Sequence, residues 1–91
     1  MPKVKLYGGL VQAAKGKKET EVESTVLSAV IDELVNRYGA DFKQKILDPK
    51  GNLANFVRIF VNDKDIRFLQ NLDTKLTETD VIILMPAIGG G

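Results

Sequence analysis

Residues 81–85 read Val-Ile-Ile-Leu-Met, so a strand built from them is apolar on both faces, with Val81, Ile83 and Met85 opposite Ile82 and Leu84. A strand of that kind belongs in the middle of a sheet, with neighbours on both sides and cover on both faces. The remaining strand candidates alternate. In "KVKLY", Val4 and Leu6 alternate with Lys3 and Lys5 before Gly8-Gly9 interrupts the pattern, and in "FVRIFVND", Val57, Ile59 and Val61 oppose Phe56, Arg58 and Phe60. Asn62-Asp63-Lys64 has the composition of a turn. "GKKETEVE" carries charge at nearly every second position and suits an exposed sheet edge, where charge discourages pairing with another chain.

Between these segments the period changes. Val26, Leu27, Val30, Ile31, Leu34, Val35 and Tyr38 recur at three- and four-residue steps and fall on one side of an α-helix. Ser24 or Thr25 is positioned to cap its start, and Gly39 to end it in a left-handed turn. Glu33 and Arg37, four apart, are expected to pair on its wet side. "DFKQKILD" reads as a further short helical turn, and Pro49, Gly51 and Asn52 as loop. The order strand, strand, helix, strand, strand, with a short helical insert, predicts an α+β roll in which one main helix covers one face of the sheet. A chain of 91 residues is one domain with a modest core.

Several functions are excluded by what the chain lacks. Without cysteine or histidine there is no thiol nucleophile, imidazole base, disulfide or zinc site built on those residues, so no metal centre is expected and an enzyme acting alone is improbable. Thirteen basic and twelve acidic side chains leave a formal charge of +1, which gives no reason to expect nucleic-acid or anionic-membrane partners. Lys3, Lys5, Lys15, Lys17 and Lys18 read as a solvated rim, since Glu19, Glu21 and Glu23 follow them. No apolar run approaches the length of a membrane span and none resembles a signal peptide, so a cytoplasmic protein is expected. Gly16-Lys17 fails as a phosphate loop because Val11 and Lys18 stand where the motif needs glycine and Ser or Thr. Asp63 and Asp65 lack the other ligands of a calcium loop, and Ser24 and Ser28 have no histidine to activate them.

What remains is the ending, "MPAIGGG". Pro86 has no N–H to give to a sheet ladder, so residues 1–85 are expected to form the domain and residues 86–91 a flexible glycine tail. Gly89, Gly90 and Gly91 can thread a slot too narrow for a Cβ, and the functional group they carry is the carboxylate of Gly91. A partner holding ATP and Mg²⁺ could bring that carboxylate in line with the α-phosphate and form an acyl-adenylate open to sulfur or amine nucleophiles. The bland alternative is a frayed terminus.

The segment "VRIFVNDKDIRFLQNLDTKLTETDVIILMPAIGGG", with "KVKLYGGL" and the central helix, resembles the ubiquitin-like sulfur carriers, nearer the MoaD type than the ThiS type. The resemblance rests on the strand into Val61-Asn62, "LDTKL", Asp80 at the start of the final strand, and the proline-led tail ending in Gly90-Gly91. It implies a β-grasp fold with a mixed sheet whose first and last strands are adjacent and parallel. It also implies that a ubiquitin-activating-type enzyme (MoeB/ThiF-like) adenylates Gly91, that ATP and Mg²⁺ are used by that partner with no cofactor bound here, and that a thiocarboxylate forms. The sulfur acceptor implied first is the molybdopterin synthase large subunit (MoaE-like), towards which the "DFKQKILD" insert leans. Thr79 departs from the family's usual glycine before the aspartate, and Gly89 from its usual small residue.

Strand parity gives a docking surface. If Val57, Ile59, Val61, Ile82 and Leu84 face the helix, then Tyr7, Arg58, Phe60, Val81, Ile83 and Met85 lie on the outer face, and with Pro86 and Ile88 they form the expected partner-binding surface. The alternative is that the insert near Phe42–Leu47 covers part of that face. The chain is expected to be a monomer when alone. Competing functions are a modifier conjugated to lysines, a carrier serving tRNA thiolation, thiamine or cysteine synthesis, and a plain binding module with an inert tail.

Overall fold

The structure, a computed structural model, describes residues 1–86. Five strands form one mixed sheet: β1 (Lys3–Leu6), β2 (Glu19–Glu21), β3 (Val57–Val61), β4 (Lys64–Asp65) and β5 (Val81–Pro86), in the spatial order β2-β1-β5-β3-β4. The strand that is apolar throughout is the central one, as its two-faced pattern requires. It runs parallel to β1, with Val4 opposite Ile82 and Leu6 opposite Leu84, and antiparallel to β3, with Ile59 opposite Leu84. The charged β2 lies at one edge, and at the other β4 is only two residues long.

Three α-helices lie between these strands, α1 (Gly9–Ala13), α2 (Leu27–Tyr38) and α3 (Ala40–Ile46), and two short 3-10 turns, Ile66–Phe68 and Asn71–Asp73, lie between β4 and β5. The α2 stripe supplies Leu27, Val30, Ile31 and Leu34 to a core shared with Val4, Ile59, Ile82 and Leu84 from the sheet. A single residue, Gly39, separates α2 from α3; its φ of 94° and ψ of −162° turn the chain sharply at an angle that favours glycine. Phe42 and Ile46 of α3 are fully buried in the same core, with Phe42 tilted against Tyr38 at 5.4 Å, so the insert packs on the helical side of the sheet. The β-grasp roll expected from the sequence is thus present, with the first and last strands adjacent and parallel.

Three local expectations are corrected. The break expected at Gly8-Gly9 leads directly into a helical turn, Gly9–Ala13, that buries Leu10 and Ala13. Neither Ser24 nor Thr25 caps α2: Val26 is the cap residue and has no side-chain bond, while Leu27 N–H donates to the carbonyl of Thr74. Leu76 N–H in turn donates to Thr25 O, so the "LDTKL" segment latches the start of the helix from outside. The Ser24 hydroxyl instead donates to Glu33. Phe56 lies just ahead of β3, about half exposed, and is not part of the strand's outer face.

Candidate functional site: the outer sheet face and the root of the tail

Alternation along β1, β3 and β5 puts two sets of side chains on opposite faces. Val57, Ile59, Val61, Ile82 and Leu84 are buried against the helices, whereas Arg58, Phe60, Val81, Ile83 and Met85 are half-buried on the other side and Tyr7 is 44% exposed. The register sets Phe60 opposite Ile83 and Arg58 opposite Met85. Tyr7, Phe60, Ile83, Met85 and Asp63 line one shallow depression. Lys3 and Lys5 continue this face along β1, and Lys3 Nζ lies 3.4 Å from the Glu19 carboxylate. The result is an apolar strip of aromatic, branched and thioether side chains flanked by cations, a composition suited to covering by a partner.

Charge beside the strip is locally balanced. Asp65 accepts from Arg67 Nε and Nη2 at 3.1 and 2.8 Å and lies 4.0 Å from Arg58. The Arg67 side-chain bonds, aided by Arg67 N–H, hold the Asp65 carboxyl below its usual range. Asp65 is therefore committed to guanidinium, and among the described residues no group of three or more acidic, Cys or His side chains is placed to hold a metal.

The start of β5 is clasped to the β3–β4 turn. Asn62 and Asp63 adopt φ of 50° and 71°, the left-handed pair of a two-residue hairpin turn. Asn62 exchanges N–H and Oδ1 contacts with Val81, and its Nδ2 donates to Asp80 at 2.8 Å. Asp80 also accepts from Thr77 N–H and Oγ1, and these bonds, the backbone one foremost, depress its carboxyl below the ordinary range. Thr79 is not among the residues with positive φ, so threonine fits this turn without strain.

At the other end of β5 stands Pro86, the strand's last residue, opposite Val57. Tyr7 N–H donates to Leu84 O at 3.1 Å, and the next rung of the parallel ladder would need an N–H on residue 86 for the Tyr7 carbonyl. Proline has none. Tyr7 O accepts instead from Leu10 N–H at 3.2 Å, which closes the turn into α1. Sequence reasoning took Pro86 as the terminator; the strand extends through it, and the ladder to β1 ends on it. Ala87, Ile88, Gly89, Gly90 and Gly91, the remaining residues singled out from the sequence, lie outside the described residues.

A model of the ThiS family matches residues 4–91. The chain belongs to the ThiS family. That places it among the ubiquitin-like sulfur carriers, small proteins that are not catalysts themselves. Sulfur carrier protein CysO of Mycobacterium tuberculosis is 36% identical over 78 residues, covering 84% of this chain and 83% of that one. Small archaeal modifier protein 1 of Methanosarcina acetivorans superposes with a TM-score of 0.87 at 31% identity, over 99% of this chain and 95% of the other. CysO in a BexX/CysO complex of Amycolatopsis orientalis superposes with a TM-score of 0.86 at 26% identity, covering all of both chains.

Two features of this ThiS-family chain were hidden from sequence reasoning. Gly8 meets Pro86 across the fold, and the Asn62–Asp80 clasp joins two segments that each read as an ordinary turn. The only signal for the clasp was that both residues fall within the parts that carry the family resemblance.

Proposed function

We propose that this ThiS-family chain carries sulfur as a thiocarboxylate on Gly91. A Gly91 carboxylate oxygen attacks the α-phosphorus of ATP held with Mg²⁺ by a ubiquitin-activating-type partner. Pyrophosphate leaves and an acyl-adenylate forms. Hydrosulfide then attacks the acyl carbon, AMP leaves, and the thiocarboxylate remains. Its sulfur attacks an electrophilic carbon of the acceptor and displaces the leaving group that carbon carries, and hydrolysis of the resulting thioester leaves a thiol on the acceptor and returns the carboxylate. The protein contributes presentation: Tyr7, Arg58, Phe60, Val81, Ile83 and Met85 dock the partner, with Pro86 and Ile88 at the margin, while Gly89 to Gly91 reach the partner's site. The observation that carries this reading is the family match running through residue 91 on a chain without cysteine or histidine.

The acceptor is of the kind served by CysO carriers, because CysO is the name borne by a relative 36% identical. This weighs against the molybdopterin precursor as the specific acceptor, despite the lean that the α3 insert gives towards the MoaD type. CysO in complex with BexX supports a working partner that binds the carrier directly. A second reading, conjugation of Gly91 to target lysines, is supported by the likeness to an archaeal modifier protein.

Incubation with a cognate adenylating enzyme, ATP, Mg²⁺ and sulfide, followed by intact-mass measurement, tests the proposal. Replacement of one oxygen by sulfur, seen in the full chain and absent when Gly91 is deleted, is the expected result. An unchanged mass beside an enzyme active on another carrier sinks it. Isopeptide-linked ladders in cells, without thiocarboxylate, favour the modifier reading.

A further inference from the structure

Gly8 is under two independent demands. Its φ of 61° and ψ of −141° belong to the first central position of a type II′ turn, closed to most residues that carry a Cβ. A Cβ placed there would also stand 2.7 Å from Cγ and 3.1 Å from Cδ of Pro86, whereas at Gly9, Gly16, Gly39 and Gly51 it would meet nothing within 4 Å. The backbone angle serves the turn into α1. The empty volume serves Pro86.

The two residues meet because of the ladder. Parallel pairing brings the end of β5 level with the residues after Leu6, and Pro86, unable to donate to Tyr7 O, leaves that carbonyl to Leu10 N–H. The turn so formed has Gly8 at its tip, against the proline ring. Elsewhere around Pro86, a cleft of about 180 Å³ is lined by Gly9, Leu10, Lys45, Phe56 and Val57. A side chain at position 8 therefore has somewhere to push the ring.

We propose that Gly8 is a positioning residue for the reaction at Gly91. By lacking a side chain it lets Pro86 seat on the β1–α1 turn, and that seat sets the place and heading from which the chain continues into residue 87. The role rests on the reading of Gly91 as the reacting group. In-line attack on a phosphorus atom is sensitive to placement, and a misplacement of about 1 Å can slow a reaction by roughly 10²-fold.

The test uses Gly8→Ala, Pro86→Ala and the double substitution. Because the chain has no cysteine, nitroxides at Ala87→Cys and at Asp32→Cys, exposed on α2, report one distance across the tail root by pulsed electron resonance. Kinetics of thiocarboxylate formation are measured on the unlabelled chains. Gly8→Ala is expected to shift or broaden the distance and to lower kcat by roughly ten- to a hundredfold, with KM changed less than about twofold because the outer face is intact. In the double substitution the ring is gone and only the strain of the backbone angle remains, so the effects of the two substitutions on both readouts should be clearly less than additive. A merely structural role for Gly8 would lower the melting temperature and leave kcat, measured well below it, unaltered.

A folded Gly8→Ala chain with unchanged distance and kcat overturns the proposal. If Gly8→Ala does not fold, Pro86→Ala decides, because it removes the contact without straining residue 8; unchanged distance and kcat there also overturn it. If the unsubstituted chain never acquires sulfur, the reaction that Gly8 would serve falls. The distances then still show whether the contact sets the tail root.

Discussion

Replacing Asp80 with Ala removes three bonds at once: those from Thr77 N–H and Oγ1, at 2.8 and 2.9 Å, and that from Asn62 Nδ2, at 2.8 Å. Each is charge-assisted but half exposed, so water can take over the orphaned donors and no buried group is left unsatisfied. A net contribution of about 0.5 kcal/mol per bond, the low end of the usual range, gives a loss of about 1–2 kcal/mol. For a domain of this size that corresponds to a fall in melting temperature of roughly 5–15 °C. Asp80→Asn keeps one carbonyl acceptor and should lose about half as much. Thermal melts followed by circular dichroism measure both. A cycle with Asn62→Ala should be non-additive by about 0.5–1 kcal/mol, since the two residues share a bond. Melting of Asp80→Ala within about 2 °C of the unsubstituted chain, or strict additivity, would show that the clasp forms without stabilising the fold.

The other expected outcomes concern pH and the outer face. Burial raises the Glu33 carboxyl, but bonds from the Ser24 hydroxyl and the Glu23 and Ser24 N–H groups, with Arg37 at 2.8 Å, outweigh it and leave the group depressed, as Asp80 and Asp65 are. Groups depressed in the folded state stabilise it fully above their unfolded values, near pH 4, and lose that contribution as pH falls through the folded ones. With no histidine in the chain, melting temperature should be nearly flat from about pH 5.5 to 8 and fall steadily below about pH 4.5, and Glu33→Gln should shrink the acid slope. A marked slope between pH 6 and 7 in a buffer series would contradict this assignment. Phe60→Asp should leave the fold intact and raise the KM of the adenylating reaction about tenfold or more, whereas Phe68→Asp, at an 83% exposed position outside the strip, should not; equal effects would place docking elsewhere.

How far the sequence could be read depends on the range of the interaction. The central place of β5, the edge place of β2 and the buried stripe of α2 are properties of single segments, and periodicity alone located each. Failures lie where a distant segment intervenes. Five residues of α1 are too few to hold a helix by propensity, and that turn exists because Leu10 and Ala13 are buried by the rest of the chain. Ser24 has the chemistry of a cap, yet Thr74 supplies the acceptor for Leu27 N–H and Glu33 claims the hydroxyl. Gly8 read as punctuation, because nothing local says that a proline ring will arrive beside it. Within the candidate site, strand parity sorted the inner from the outer face, whereas the residues that anchor the two ends of β5 needed the fold.

If Gly91 is the reacting group, its attachment to the central strand has a mechanical consequence. β5 is hydrogen-bonded to β1 on one side and β3 on the other, so freeing it requires both ladders to open, and with them the contacts of Ile82 and Leu84 in the core. Such opening amounts to unfolding the domain. Amides of Ile82, Ile83, Leu84 and Met85 should therefore exchange with solvent deuterium only at the free energy of global unfolding and respond fully to denaturant. Lys64 and Asp65, in a two-residue strand at the sheet edge, should exchange through local opening with little denaturant dependence. Exchange of the β5 amides well below the global free energy would mean that the strand can peel away. A partner drawing on the tail would then distort the domain, and docking on the outer face could no longer be treated as separate from placement of Gly91.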